Sequence, residues 1–230
     1  FTAILTYVTY LLKRNTVENM LSPNGYQITN TLFSSASARV FRGYREKDRL
    51  PVILRANGEN ASPSQEARLT ASAEVLKLFD HPNIIHLIEC TSFHNQPYLA
   101  MEDQQAIDLR QYAETFPENK LPLAEFLNIA VQLADALSVI HHAQVIHKDL
   151  HPGNMVINPS VGEQHSGQAQ IIDFGLSSLL SREQPAIATP DKLEGILAYI
   201  SPEQTGRMNR ALDYRSDFYT WASLFISYSP

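Results

Sequence analysis

The sequence predicts an α+β fold of two lobes, with an antiparallel sheet in front and a mainly helical part behind. Three observations carry this. Short runs rich in β-branched and aromatic residues fill the first hundred positions, one long amphipathic segment occupies 122–142, and a connection falls near Glu102 to Asp108. The expected organisation is an extension outside the fold over 1–20, a front lobe over 21–103 and a partial, truncated back lobe over 104–230.

Taken in order, Tyr26 to Phe33, Val40 to Tyr44 and Val52 to Arg55 are separated by Ser, Gly and Pro and read as an antiparallel meander. After Pro63, Leu69, Ala73, Leu76 and Phe79 follow helical spacing, and His81-Pro82-Asn83 stops that helix. Ile84 to Cys90 and Tyr98 to Met101 read as two more strands. From Pro122 to His142, Phe126, Ala130, Leu133, Leu137 and Ile140 share one face, with the proline suited to a first turn. Short apolar pieces follow, then a loop from about Leu176 to Ala198. No internal repeat is evident.

Composition narrows the function. The chain has 230 residues, 44% of them apolar, which is enough to bury a core, and a net charge of −6 with no basic block. That balance argues against nucleic acid or an anionic membrane surface as the main partner and favours a small-molecule or protein substrate. The opening Phe1 to Leu12 is too short for a bilayer, which needs about 20 residues, and Lys13 and Arg14 follow rather than precede it. No membrane insertion by this segment is expected. Cys90 stands alone, so an intrachain disulfide is impossible and a reducing, cytoplasmic setting is the simple expectation. The nine glycines are fewer than the usual roughly 7%.

Chemistry concentrates in four elements: His147-Lys148-Asp149, Asn154 five residues after that aspartate, Asp173-Phe174-Gly175, and Ser201-Pro202-Glu203. Each alone has an ordinary reading, as local caps or a structural pair for Glu203. In this order after a long helix they resemble the protein kinase signature HRDxxxxN, DFG, APE. The resemblance implies a bilobal protein-kinase-like fold that transfers the γ-phosphate of ATP to a protein hydroxyl with Mg²⁺. It gives Asp149 the acceptor's proton, Asn154 and Asp173 the metal ions, and Lys148 the place where the family usually has arginine. It sets Ser34, Ser35, Ala36, Val40, Arg55, Met101 and Glu102 around the nucleotide.

A rival metal reading rests on His141, His142, His147 and His151. His147 and His151 are spaced i, i+4, but Lys148 stands where a zinc-protease motif needs Glu, and no third ligand is identified.

The segments Met20 to Thr29, IHKDLHPGN, IIDFGLSS and Ala198 to Tyr219 look like the N-terminal serine/threonine kinase domain of large multidomain bacterial proteins. In those proteins an ATPase domain and a sensor histidine kinase follow, so fusion to or action with such domains is implied. Coverage runs from Leu21 to Tyr219, and Asp217 matches the aspartate that opens the helix supporting the catalytic loop. The first residue is Phe and WASLFISYSP stops where the family continues, so a piece of a longer protein is expected.

Departures from the pattern gather on the nucleotide side. The stretch Leu32 to Val40 matches the glycine-rich loop but contains no glycine; Phe33, Ser35 and Ala38 hold the three positions. Arg55 replaces the third-strand lysine, and arginine is not its equivalent. Counting back ten residues from Pro82 puts its expected glutamate partner at Ser72, while Glu74, about 200° around the helix from it, should point away. His151 and Ile196 stand where these kinases usually carry lysine and threonine. Two functions therefore compete: an impaired protein serine/threonine kinase, and a pseudokinase-like regulatory or nucleotide-binding module. A truncated product without a stable fold is a third. Ser177, Ser178, Ser181 and Thr189 are candidate phosphorylation sites in the later loop.

Overall fold

The computed structural model describes residues 22–58, 61–93, 96–159, 167–182, 199–205 and 211–229. The expected N-terminal extension, and Thr189 and Ile196, lie outside the described residues. The chain divides into two compact units, 1–73 with 87–104 and 74–86 with 105–230.

The first unit is built on strands β1 (Tyr26–Ser34), β2 (Ala38–Arg45), β3 (Pro51–Asn57), β4 (Leu87–Phe93) and β5 (Gln96–Glu102). They form one antiparallel sheet in the order β1-β2-β3-β5-β4. Strand periodicity explains its core: alternate residues Val52, Leu54 and Ala56 of β3 are buried together with Tyr26, Ile28, Phe41, Tyr98 and Ala100. Each such large apolar side chain contributes about 1.5–3 kcal/mol on burial. Polar ties sit beside this core. Tyr26 donates its hydroxyl to Glu89 at 2.6 Å, and Arg42 grips Asp103 through Nε at 2.6 Å and a second nitrogen at 3.3 Å.

Helix α1 (Pro63–Leu76) begins at a capping box. The Gln65 side chain accepts from Ser62 N at 2.8 Å, Gln65 N reaches back to Ser62 Oγ at 3.4 Å, and Pro63 occupies the first turn. Leu69, Ser72, Ala73 and Leu76 are buried.

The second unit holds β6 (Ile107–Asp108), α2 (Leu109–Ala113), α3 (Leu123–His142), β7 (Val145–Ile146), β8 (Met155–Asn158), β9 (Gln168–Ile171), β10 (Ser178–Leu179) and α4 (Arg215–Tyr228). Two small sheets form, β6-β8-β9 and β10-β7. Helix α3 buries Phe126, Ala130, Leu133, Leu137 and Ile140, the predicted face, along with Ile129 and Ala136. The segment Pro117–His142 is the one among the described residues long and apolar enough to cross a membrane, yet its α3 face packs as a core helix.

Sequence expectations shift at β4 and at the start of α3, and β10 lies where a loop from Leu176 was expected. The strand expected over Ile84 to Cys90 runs over Leu87–Phe93 instead, because Ile84 bridges Ile171, Ile85 N donates to Ile171 O, and Asn83 Nδ2 donates to Ala169 O at 2.7 Å. Those bonds hold 83–85 in the second unit, so the sheet strand starts later. Pro122 caps α3 from outside rather than occupying its first turn, with extended ψ of 143°.

Close backbone approach governs Gly43 on β2. A Cβ there would lie 2.1 Å from the Gln27 carbonyl oxygen. Gly43→Ala is therefore expected to lower stability by about 1–3 kcal/mol, read as a lower urea midpoint with an unchanged slope.

Candidate active site

The loop over 147–149 is organised by Asp217, in the first turn of α4 and 1% exposed. Its Oδ2 accepts from His147 N at 2.9 Å and from His141 Nε2 at 2.9 Å, and its Oδ1 accepts from Lys148 N at 2.8 Å. For two consecutive amides to meet one carboxylate the chain must turn sharply, and Lys148 takes φ 67°, in the left-handed region. Gln204, from the turn Pro202–Thr205, closes the clamp by donating Nε2 to Lys148 O at 2.7 Å. Ser201 Oγ in turn donates to Gln204 Oε1 at 3.0 Å, and Ser216 Oγ donates to Glu203 at 2.7 Å.

His147 is fully buried and is a joint of the loop rather than a ligand. Its Nε2 donates to Ile172 O at 3.0 Å, and its Nδ1 accepts from Asp149 N at 3.3 Å. The ring meets Phe174 edge-on with centroids 4.8 Å apart, and Phe174 contacts Phe79 at 5.7 Å. With Phe174 1% exposed, the aspartate before it is held at the end of a buried anchor. Asp173 takes φ 61°, and its Oδ1 accepts from Gly175 N at 2.9 Å. The histidine zinc reading finds no support in this geometry: both His147 nitrogens are engaged, His141 serves Asp217, and the described residues contain no group of three or more His, Cys, Asp or Glu side chains placed to hold a metal.

Asp149, Asn154 and Asp173 come together in the second unit. Asn154, 7% exposed, donates Nδ2 to Asp149 O at 2.8 Å and to Asp149 Oδ2 at 3.1 Å. Because both bonds use the amide nitrogen, the Asn154 oxygen is the atom left to accept or ligate. Burial pushes the Asp149 carboxyl above the usual carboxylate range; the charge of Asp173 adds to that rise, while His151, His147 and the Asn154 amide oppose it. The donor set is an amide oxygen and a carboxylate, with a second carboxylate close enough to feel the first. Hard oxygens carrying excess negative charge fit Mg²⁺, which takes one or two carboxylates and fills its other positions with water and phosphate.

The residues expected around the nucleotide lie in the first unit. Ser34 ends β1 and Ala38 begins β2; between them Ser35 builds the turn, donating N to Ala38 O at 2.9 Å and accepting at Oγ from Ala38 N at 3.1 Å and Ser37 N at 3.3 Å. No residue of this turn has positive φ, so the turn stands without glycine. Gly58, which sequence reasoning passed over, packs beneath it: a Cβ there would lie 2.0 Å from Ala36 O. Val40 and Arg55 are register partners across β2 and β3, Arg55 also faces Leu99 on β5, and Met101 and Glu102 end β5. Ser72 is 2% exposed, and its Oγ has no hydrogen-bond partner among the described residues. Glu74 points out and pairs with Lys77 at 2.7 Å, as the helical count requires.

Asp217→Asn sets an amide NH₂ against loop N–H donors. A loss of about 2–4 kcal/mol is expected. Hydrogen exchange at the His147 and Lys148 amides should accelerate more than exchange in the β1-β5 sheet.

A family model described as the protein kinase domain matches residues 26–228. The chain is 30% identical over 200 residues to a probable serine/threonine-protein kinase PknB of Lactococcus lactis, covering 84% of this chain and 30% of that protein. It is 29% identical over 217 residues to serine/threonine-protein kinase pkn2 of Myxococcus xanthus, covering 89% and 25%. With serine/threonine-protein kinase PrkC of Bacillus subtilis it shares 29% over 137 residues, covering 60% and 20%. The chain thus spans between a fifth and a third of the length of these relatives.

Proposed function

This chain belongs to the protein kinase domain family, of serine/threonine type, and on that premise we propose that it transfers the γ-phosphoryl group of ATP to a serine or threonine hydroxyl of a protein. The observation that carries the reading is the Asp149–Asn154–Asp173 constellation, with Asp149 held at its backbone and at one carboxylate oxygen by a single amide.

The chemistry follows from the placement. The acceptor hydroxyl gives its proton to Asp149 as its oxygen bonds to the γ-phosphorus, and the bond to the β,γ-bridging oxygen breaks to leave ADP. Asn154 and Asp173 would hold Mg²⁺, which when bound neutralises charge on the phosphates and the departing oxygen. The buried Asp217 clamp fixes the backbone of His147 and Lys148 just before Asp149, which supports a positioned base there. Lys148, beside the base, has its backbone committed to the clamp, so its catalytic part rests with its side-chain charge.

On the nucleotide side, Ser34, Ser35 and Ala36 would cover the phosphates, Arg55 would supply charge, and Val40, Met101 and Glu102 would border the base. Where the kinase pattern has a glutamate on the first helix this chain has the buried Ser72, and transfer is expected to be slow compared with kinases that keep that glutamate. The same observation favours a second reading, a regulatory module that binds nucleotide without turnover. Similarity of residues 21–219 to kinase domains that precede an ATPase and a histidine kinase supports a place in a larger cytoplasmic signalling protein.

Purified chain with Mg²⁺ and γ-labelled ATP is expected to label itself or a generic protein, and Asp149→Asn to remove the label. Label equal in wild type and Asp149→Asn rejects phosphotransfer through this site. In a thermal-shift titration, ATP is expected to raise the melting temperature only with Mg²⁺, and Asp173→Ala to remove that rise. A rise without turnover selects the regulatory reading.

A further inference from the structure

His151 points both ring nitrogens at loop atoms, and the two nitrogens do different things. Nδ1 accepts from Gly153 N at 3.1 Å, capping the turn Pro152–Asn154. A nitrogen that accepts carries a lone pair, so the ring proton sits on Nε2. That Nε2 faces Asp149 Oδ1 at 4.0 Å, while Asn154 holds Oδ2 at 3.1 Å. The ring lies close against position 153: a Cβ there would come within 3.0 Å of Cε1 and 3.1 Å of Nδ1, so glycine is what leaves room for it. With its side chain 24% exposed, the ring is neither core nor free surface.

We propose that His151 is a positioning residue for phosphoryl transfer, its Nε2–H steering the Oδ1 side of the Asp149 carboxylate while Asn154 fixes Oδ2. The proposal rests on the phosphotransfer reading of Asp149 given above. Donors on opposite oxygens set the plane of a carboxylate, and a set plane aims its remaining lone pairs at an incoming hydroxyl. At 4.0 Å the contact is longer than a hydrogen bond. Contacts of this kind tighten when a reacting group arrives.

The two nitrogens can be separated by substitution, since glutamine mimics a donor at Nε2 and asparagine an acceptor at Nδ1. In steady-state phosphorylation of a generic protein, His151→Gln is expected to keep most of the wild-type kcat. His151→Asn is expected to lose about tenfold or more in kcat, with KM for ATP and acceptor unchanged. The opposite ranking, or a change confined to KM, overturns the proposal in favour of a capping role. A second measurement needs no turnover. Long-range imidazole ¹H–¹⁵N spectra of the wild-type chain should show His151 protonated at Nε2, with that nitrogen's resonance shifting in Asp149→Asn. A proton on Nδ1, or an Nε2 resonance indifferent to Asp149→Asn, overturns it. A chain without phosphotransfer but with the expected spectra loses the reaction and keeps the contact, so the two readings fail separately.

Discussion

The loop that carries Asp149 depends on one buried negative charge. Asp217 is removed from water, and an uncompensated carboxylate there would cost several kcal/mol. Its compensation comes from two successive backbone amides and one imidazole, all within 2.9 Å. Satisfying the charge therefore dictates the path of residues 147–149. The left-handed turn at Lys148 is the cost of that path, and everything downstream inherits it: the His147 ring against Phe174, the Asp149 amide on His147, and Asn154 reaching back to Asp149. The phosphotransfer proposed above needs a rigid carboxylate and oxygen ligands, and a loop fixed by a buried charge would provide the first.

The first unit meets its own constraint by other means. A turn that elsewhere would use glycine is made here from Ser35, whose hydroxyl accepts two amides and whose backbone stays in ordinary φ space. The glycine that matters lies at position 58, where it admits the turn's carbonyl. The shortage of glycine in this turn is thus a relocation of where the chain needs space. On α1 itself the carboxylate expected at Ser72 is not made good by its neighbour, since Glu74 is committed to Lys77 on the solvent side.

Much of this was legible in residue patterns. Alternation at Val52, Leu54 and Ala56 and helical spacing from Phe126 to Ile140 reflect faces that each element must bury, and burial follows them. The helical count that turned Ser72 inward and Glu74 outward worked for the same reason. Asp149, Asn154 and Asp173 stood out because the base and metal roles proposed for them tolerate few residue types at fixed spacing, and the fold brings the three together. The start of β4 was misplaced because Ile84 and Ile85 look like strand residues but are held by Ile171, nearly ninety positions away in sequence. Gln204 on Lys148, Gly58 under Ala36 and the division of labour on His151 left no local signal, since each is a through-space relation between residues whose types alone are unremarked.

The clamp on Lys148 grips peptide atoms: its N–H goes to Asp217 and its carbonyl to Gln204. Any residue able to hold φ near 67° satisfies such a grip, whatever lies beyond its Cβ. The position is thereby open to drift between cations, which explains how a lysine can occupy the family's arginine site while the loop keeps its shape. Asp217 and Gln204 have no such latitude, because their side chains are the grip.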